Sequence, residues 1–139
     1  MNEKIVLLAE DNADDEFFTC RGLNASEVAL TIHVARDGAE ALDMLFGTSE
    51  PALCPDLIVL DINMPKLDGI EVLERLRQDT RTRLTPVVIL TSSTQPDDIA
   101  RAYQAGANSY LSKPIDTSRM LELVSGMARY WLRDNHLPA

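Results

Sequence analysis

The chain has 139 residues, a length typical of one domain that can bury a core without disulfides or a structural metal. Its formal net charge of −9 argues against direct contact with nucleic acid, which requires clustered Lys and Arg. No apolar run approaches the roughly 18 residues of a membrane span, and the two cysteines, Cys20 and Cys54, are too few for a disulfide framework, so we expect a cytoplasmic protein without a membrane contact.

Short apolar segments alternate with segments of helical period from one end of the chain to the other. The apolar segments predict buried strands, because they lack the alternation of a half-exposed strand. In chain order we predict strand 5–9, helix 14–23, strand 30–35, helix 38–46, strand 57–60, helix 70–77, strand 87–90, helix 97–105, strand 109–111 and a last helix. The first helix contains an apolar group formed by Phe17, Phe18 and Cys20.

The last helix has the clearest apolar period, and Asp116 is its predicted cap. Its positions i, i+3, i+4, i+7 and i+11 are occupied by Met120, Leu123, Val124, Met127 and Trp131. Five strand–helix repeats predict an α/β fold, a five-stranded parallel sheet that is doubly wound, with helices on both faces. The longest irregular stretch, residues 47–55, is predicted to be a surface loop.

Polar residues suited to phosphate chemistry follow four of the predicted strands. Glu10 and Asp11 follow the first strand, Asp61 the third, Thr91 the fourth and Lys113 the fifth. Ligands of parallel α/β sheets bind beyond the carboxyl ends of the strands, an edge that we call the carboxyl edge. The sequence therefore predicts that these side chains meet at the carboxyl edge.

The predicted cluster contains three carboxylates that would disfavour one another's ionisation. A divalent cation removes that conflict, and hard oxygen ligands suit Mg²⁺, which also binds phosphate oxygens. A carboxylate such as Asp61 can act as a nucleophile towards phosphorus. The ammonium of Lys113 and the hydroxyl of Thr91 can then stabilise the charge on the transferred phosphoryl group.

Each of these features also has an ordinary structural explanation. Glu10, Asp11 and Asn12 could simply cap the first helix, residues 91–94 could be a capping run, and Lys113 could be a solvated side chain. His33 and His136 have no partner at catalytic or metal-binding spacing, so solvated or structural roles are favoured for both. The joint placement of the acidic, hydroxyl and ammonium groups is what favours a site.

Taken together, these residues resemble the receiver domain of two-component response regulators. The matching features span about residues 4–128 and are the acidic pair Glu10 and Asp11, the run 61–69, Thr91 after residues 87–90, Gly106 with Ala107, Tyr110, and Lys113 followed by Pro114. The resemblance implies a flavodoxin-like receiver fold in a single domain over residues 1–139, with the last helix extending to about residue 134.

By this resemblance, Asp61 is the phosphoryl acceptor and a sensor histidine kinase is the donor. Mg²⁺, or Mn²⁺ as a substitute, would be bound by Asp11 and Asp61 directly, by Asn63 through its backbone carbonyl and by Glu10 mainly through water. Thr91 and Lys113 would contact the phosphoryl oxygens. The switch residues would be Tyr110, which turns inward on phosphorylation, and Pro114, which follows a cis peptide bond.

Softer features resemble the single-domain regulators that are paired with phytochrome-type sensor kinases. They are the opening run 10–15, the loop 47–55, the run 91–93 and the tail 130–132. We expect no attached output domain, so the signal would pass to a downstream protein or to a second copy of the chain. Trp131 and Leu132 are consecutive and cannot both face the core, which favours a homodimer through the last helix.

Two departures from the common receiver pattern concern the rate of phosphoryl loss. Ser92 stands where many receivers have Ala or Gly, and Asn63 cannot act as a base.

Asn63 also argues against a phosphatase of the haloacid dehalogenase type, which needs an Asp at that position as general acid. A nucleotide or flavin binder would need a Gly-rich first loop instead of the acidic run 10–15. A degenerate receiver that acts only as a docking module is the remaining alternative.

Overall fold

Five strands and five α-helices alternate along the chain, in agreement with the apolar pattern. A computed structural model describes residues 3–47 and 52–138. The elements, in chain order, are β1 Lys4–Ala9, α1 Ala13–Asn24, β2 Leu30–Ala35, α2 Gly38–Phe46, β3 Leu57–Leu60, α3 Gly69–Gln78, β4 Val87–Thr91, α4 Pro96–Ala105, β5 Ser109–Ser112, α5 Thr117–Arg129 and a π-helical turn Tyr130–Asp134. The predicted α/β fold is confirmed, and most boundaries differ from the prediction by one residue or not at all.

All strand pairs are parallel, and the order in the sheet is β2-β1-β3-β4-β5. The chain moves outward from β1 to β2 on one side and returns to β3 on the other, so the direction of winding reverses between β1 and β3. Such a reversal leaves a crevice at the carboxyl ends of the two strands. Ala9 pairs with Leu60, which places Glu10 and Asp61 side by side at this crevice.

Two apolar layers cover the sheet, one on each face. The layer under α2, α3 and α4 includes the side chains of Leu7, Ile58, Leu60, Leu73, Leu76 and Ile89. The layer under α1 and α5 includes Val6, Leu8, Val59, Val88, Val124 and Met127. β3 and β4 are buried along their whole length, because helices cover both of their faces. This explains why these strands are apolar without alternation.

The first helix differs from its prediction in the placement of its apolar group. Phe17 is 56% exposed, and Cys20 and Phe18 are half-buried against the layer under α1 and α5. The residues of α1 that are buried are Thr19, Gly22 and Leu23. The helix face that meets the sheet is therefore turned by about one residue from the one that the large side chains suggest.

Residues 48–51 of the predicted loop 47–55 lie outside the described residues.

The tail of the last helix corrects a second detail of the predicted core. Leu132 is buried, whereas Trp131, predicted on the core face, is half-buried, and Tyr130 is 52% exposed. The cause is the π-helical turn, in which the Asn135 N–H donates to the Tyr130 carbonyl at 2.6 Å. A wider turn rotates each residue by a smaller angle, so Leu132 stays above the core.

Arg77 of α3 joins two loops at the amino ends of β4 and β5. Its guanidinium donates to the carbonyl of Gly106 twice, at 2.8 and 3.0 Å, and to Asn108 Oδ1 at 2.9 Å. It also donates to three carbonyls of the loop before β4, those of Thr82, Arg83 and Thr85. One half-buried side chain thus pairs with five acceptors, of which the carbonyls of Thr82, Thr85 and Gly106 lie in partly buried surroundings.

We expect Arg77→Met to lower the free energy of unfolding by about 3 kcal/mol, because the carbonyls lose a charged donor and stay partly buried. Urea denaturation followed by circular dichroism measures the change. Arg75→Met, two residues earlier on an exposed position of α3, is the matched control and should cost less than about 0.5 kcal/mol. Equal losses in the two variants would show that the loop contacts of Arg77 contribute nothing.

None of the helices within residues 3–47 and 52–138 combines the length and hydrophobicity needed to span a membrane.

Candidate functional site

The carboxyl edge brings together the polar residues that the sequence places after separate strands. Glu10, Asp11 and Asp61 each offer a carboxylate oxygen, and the three oxygens lie within 4.8 Å of one another. Glu10 is 1% exposed and Asp61 is 5% exposed, whereas Asp11 faces solvent. The cluster is therefore open on one side only, at the crevice between β1 and β3.

The ammonium of Lys113 lies against two carboxylates of this cluster and one outside it. Lys113 Nζ donates to Asp61 Oδ2 at 2.6 Å, to Glu10 Oε1 at 2.7 Å and to Asp15 Oδ2 at 2.9 Å. The Lys113 side chain is only 6% exposed. An ammonium has three donors, so all of them are used in these contacts. Lys113 is thus a buried ion-paired lysine, and the solvated alternative is wrong.

Burial and neighbouring groups leave the pKa values of both Glu10 and Lys113 raised. Burial raises the pKa of Glu10 to about 7, with a further rise from the charge of Asp61, although the hydrogen bond from Lys113 lowers it. Burial by itself would lower the pKa of Lys113, but the hydrogen bonds to Asp15, Asp61 and Glu10 outweigh it and raise that pKa. Lys113 is therefore cationic at neutral pH, and the site carries more negative charge than one ammonium neutralises.

The backbone around Asp61 is fixed by hydrogen bonds and by one close approach. The Asp61 N–H donates to the Ala9 carbonyl at 3.1 Å, and the Asn63 N–H donates to Asp61 Oδ1 at 3.1 Å. The Gly69 N–H donates to the Ile62 carbonyl at 3.0 Å. A Cβ at Gly69 would lie 2.2 Å from the Asp61 carbonyl oxygen, so only glycine lets the start of α3 pass so close to the site.

Thr91 and Tyr110 lie on the neighbouring strands, β4 and β5. Thr91 is fully buried, and its hydroxyl has no hydrogen-bond partner among the described residues. Tyr110 is half-buried, and its hydroxyl donates to the Ser93 carbonyl at 2.9 Å. The aromatic ring thus ties β5 to the loop that begins just after Thr91. The contact between Tyr110 and Ser93 could not be predicted from sequence spacing.

A cavity of about 240 Å³ lies beside Lys113. Its lining includes Pro114 and Ser92, together with Asp15 of α1. Ile115, the next residue along the chain, is fully exposed at the same opening. The position at which the sequence departs from the common receiver pattern, Ser92, therefore lines the same cavity as Lys113.

The three converging carboxylates fit a hard divalent cation. Their oxygens provide the ligand type that Mg²⁺ and Mn²⁺ accept, and the exposed side at Asp11 leaves room for retained waters. Asn63, the fourth predicted ligand, is exposed and follows Asp61 by two residues, so its carbonyl lies on the same loop. The donor set fits the predicted metal on chemical grounds.

Asp15 was not among the predicted site residues. In the sequence it is part of the acidic run 10–15. A signal was present, since Asn12 is a helix cap and Asp15 occupies the third helical position, one turn from the carboxyl edge. Sequence spacing could not identify the partner of Asp15, because Lys113 is 98 residues away along the chain.

A profile of the response regulator receiver domain matches residues 6–125. Response regulator Rcp1 of Synechocystis is 36% identical over 138 residues, covering 98% of this chain and 94% of that protein.

Two solved structures share the fold over nearly the whole chain. The crystal structure of the phosphorylated cyanobacterial phytochrome response regulator RcpA has a TM-score of 0.94 and 36% identity, covering 99% of this chain and 100% of that one. The Mn²⁺-bound form of Rcp1 has a TM-score of 0.91 and 35% identity, covering 98% and 99%. These proteins resemble the chain in its whole extent and not only at the site residues.

Proposed function

This chain belongs to the response regulator receiver family, and from that membership we propose that it is a switch phosphorylated on Asp61 by a sensor histidine kinase. The family match and the relative Rcp1 support a role in two-component signalling. The observation that carries the proposal is the environment of Asp61, a buried carboxylate at the crevice of the sheet, paired with Lys113 and flanked by Glu10 and Asp11.

The transfer step requires few protein groups. A carboxylate oxygen of Asp61 forms a bond to phosphorus, and the bond from phosphorus to a histidine nitrogen of the kinase breaks, with its electron pair remaining on that nitrogen. Lys113 lies 2.6 Å from Asp61, so its ammonium can move from the carboxylate to a phosphoryl oxygen. The Thr91 hydroxyl, which lacks a partner among the described residues, is available as a second donor.

Glu10, Asp11 and Asp61, with the Asn63 carbonyl, would hold Mg²⁺ or, as a substitute, Mn²⁺. The cation supplies positive charge that neutralises the phosphoryl oxygens during transfer. The Mn²⁺-bound form of Rcp1 supports a divalent cation in a relative of the same length. Asn63 offers no acid or base, which supports a switch that is phosphorylated and slowly dephosphorylated over an enzyme that turns over external substrates.

The change on phosphorylation would pass through Thr91 and Tyr110. Movement of Thr91 towards the phosphoryl group shifts the loop that follows it, and the Tyr110 hydroxyl is bonded to that loop at the Ser93 carbonyl. Pro114 fixes the backbone beside Lys113, so we propose it as a further switch residue. The face formed by α4, β5 and α5 is then the surface that a downstream protein reads.

The kinase partner that we propose is of the phytochrome type, and the whole domain is proposed to work in the cytoplasm as a single receiver. Support comes from the resemblance to the phytochrome response regulator RcpA.

Labelling with [³²P]acetyl phosphate and Mg²⁺, followed by peptide mapping, tests the acceptor. Label found on a residue other than Asp61 would overturn the assignment.

We expect Asp11→Asn to weaken Mg²⁺ binding about tenfold, because the cluster loses one of three anionic ligands. Isothermal titration of the unphosphorylated protein measures the dissociation constant. Asp14→Asn removes an exposed charge close by and is the matched control. Equal dissociation constants for the two variants would mean that Asp11 affects Mg²⁺ only through long-range electrostatics and is not a ligand.

We also propose a homodimer through the last helix and its π-helical turn. Tyr130 is 52% exposed and stacks edge-on against Trp131, with ring centroids 5.1 Å apart. Trp131 packs partly on the core, so Tyr130→Ser is a better probe of the surface than Trp131→Ala. Light scattering should give a dimer for the parent chain and a monomer for Tyr130→Ser, with Trp131→Ala as the second variant. A monomeric parent chain would contradict the proposed homodimer.

A further inference from the structure

Asp15 is the partner of Lys113 that lies outside the acidic cluster. Its Oδ2 accepts from Lys113 Nζ at 2.9 Å. The other two partners found in the described part of the chain, Glu10 and Asp61, both belong to the three converging carboxylates. The first turn of α1 therefore gives the ammonium an anchor that is separate from the proposed cation site.

The position of Asp15 is fixed by the start of the helix. Its N–H donates to Asn12 Oδ1 at 2.9 Å, and the Asn12 N–H in turn donates to Glu10 Oε2 at 3.2 Å. This chain of contacts links the end of β1 to the first turn of α1. The Asp15 side chain is 39% exposed whereas that of Lys113 is 6% exposed, so Asp15 reaches the buried ammonium from the rim of the site.

Two of the three carboxylates that bind Lys113, those of Glu10 and Asp61, would have other partners once a cation and a phosphoryl group are present. A divalent cation on the cluster would use oxygens of Glu10 and Asp61, and phosphorylation would convert the Asp61 carboxylate to an acyl phosphate. Both events compete with Lys113 for its acceptors. The cation would also bring a second positive charge close to the ammonium, which would repel it. Asp15 is the acceptor that neither event uses.

We propose that Asp15 is a positioning residue that keeps the Lys113 ammonium beside Asp61 while a divalent cation occupies the cluster. This inference rests on the proposed function. Without the rim carboxylate, repulsion from the cation would draw the ammonium towards solvent, and the phosphoryl oxygens would lose their donor. Asp15 acts through Lys113 and does not itself touch the reacting atoms.

The first test follows the ammonium directly, in the protein without metal. Nitrogen-15 NMR should show a slowly exchanging Lys113 ammonium signal in the parent, because all three N–H groups are bonded and shielded. Asp14→Asn removes the charge of the neighbouring exposed residue and should keep the signal. Asp15→Asn should broaden it beyond detection. An unchanged signal in Asp15→Asn would overturn the contact.

The second test follows phosphorylation by acetyl phosphate in the presence of Mg²⁺. Loss of one charge-assisted hydrogen bond at a partly exposed site should slow labelling of Asp15→Asn about tenfold relative to Asp14→Asn. Asp15→Glu, which keeps a carboxylate, should recover most of the rate. In a Lys113→Met background, Asp15→Asn should have no further effect, because the ammonium on which it acts is gone.

The outcomes separate this inference from the proposed function. Equal labelling of Asp14→Asn and Asp15→Asn beside a normally labelled parent would overturn the role of Asp15 alone. The same tenfold loss in the Lys113→Met background would also overturn it, since Asp15 would then act independently of Lys113. A parent protein that takes no label would overturn the proposed function, while the ammonium signal would still decide the contact.

Discussion

Asp61→Asn should reduce labelling by acetyl phosphate or by a cognate kinase more than about a hundredfold, because an amide cannot form the acyl phosphate. The fold should survive the change. Asparagine has the same shape as aspartate, and its Oδ1 can still accept from Lys113. Removal of one negative charge also relieves the repulsion that Glu10 experiences from Asp61. The free energy of unfolding without metal should therefore not fall.

Labelling measured together with urea denaturation distinguishes loss of the acceptor from loss of the fold. Asp14→Asn, which changes the net charge equally at an exposed position of α1, should be labelled like the parent. Label on Asp61→Asn at the parental yield would mean that another side chain accepts the phosphoryl group. Loss of label together with a lower urea midpoint would instead point to loss of the fold, and this variant would then give no support to Asp61 as the acceptor.

Lys113→Met should have the second-largest effect, and it should appear in both stability and labelling. Removing the ammonium leaves Glu10 and Asp61, each nearly buried, without their cation. Breaking a buried pair from one side costs about 3 kcal/mol at neutral pH without metal. Labelling should fall about a hundredfold, since a preorganised donor to the phosphoryl oxygens is lost.

The stability loss in Lys113→Met should grow with pH. A carboxyl whose pKa is raised on folding stabilises the fold fully below its unfolded pKa and loses that contribution as pH rises through its folded pKa. For Glu10 these values are 4.5 and about 7, and the hydrogen bond from Lys113 lowers the folded value. Without Lys113 the folded pKa of Glu10 is higher still, so the variant differs from the parent more at pH 8 than at pH 5.

Urea denaturation at pH 5 and pH 8, with a chelator present, measures this difference. Lys113→Arg keeps the positive charge and should recover most of the stability. Lys66→Met is the matched surface control, since its ammonium is 3.2 Å from Asp37 and its side chain is 68% exposed. A solvent-exposed pair of this kind contributes little to stability. A larger loss at pH 5 than at pH 8 would contradict the assigned role of Lys113.

The last helix and α1 illustrate where a periodic pattern stops being informative. The pattern correctly places Met120, Val124 and Met127 in the core. It does not predict that Leu132 is more deeply buried than Trp131, which packs on the core only in part, because it assumes a constant rotation per residue and the π-helical turn changes that rotation.

In α1 the apolar side chains Phe18 and Cys20 are only partly buried, and small residues are buried instead. Gly22 allows the close packing of α1 on α5, because a Cβ there would lie 2.6 Å from Val124.

The sequence by itself determined the order of elements, the parallel sheet and the set of polar residues at its carboxyl edge. It could do so because each strand is a local apolar run and the topology of parallel strands brings all their carboxyl ends to one side. Only the tertiary structure decided which groups touch: that Lys113 pairs with Asp15, that Arg77 joins two loops, and that Tyr110 bonds to Ser93. Such contacts depend on how far each helix is rotated and shifted over the sheet, and no local pattern encodes those few ångströms.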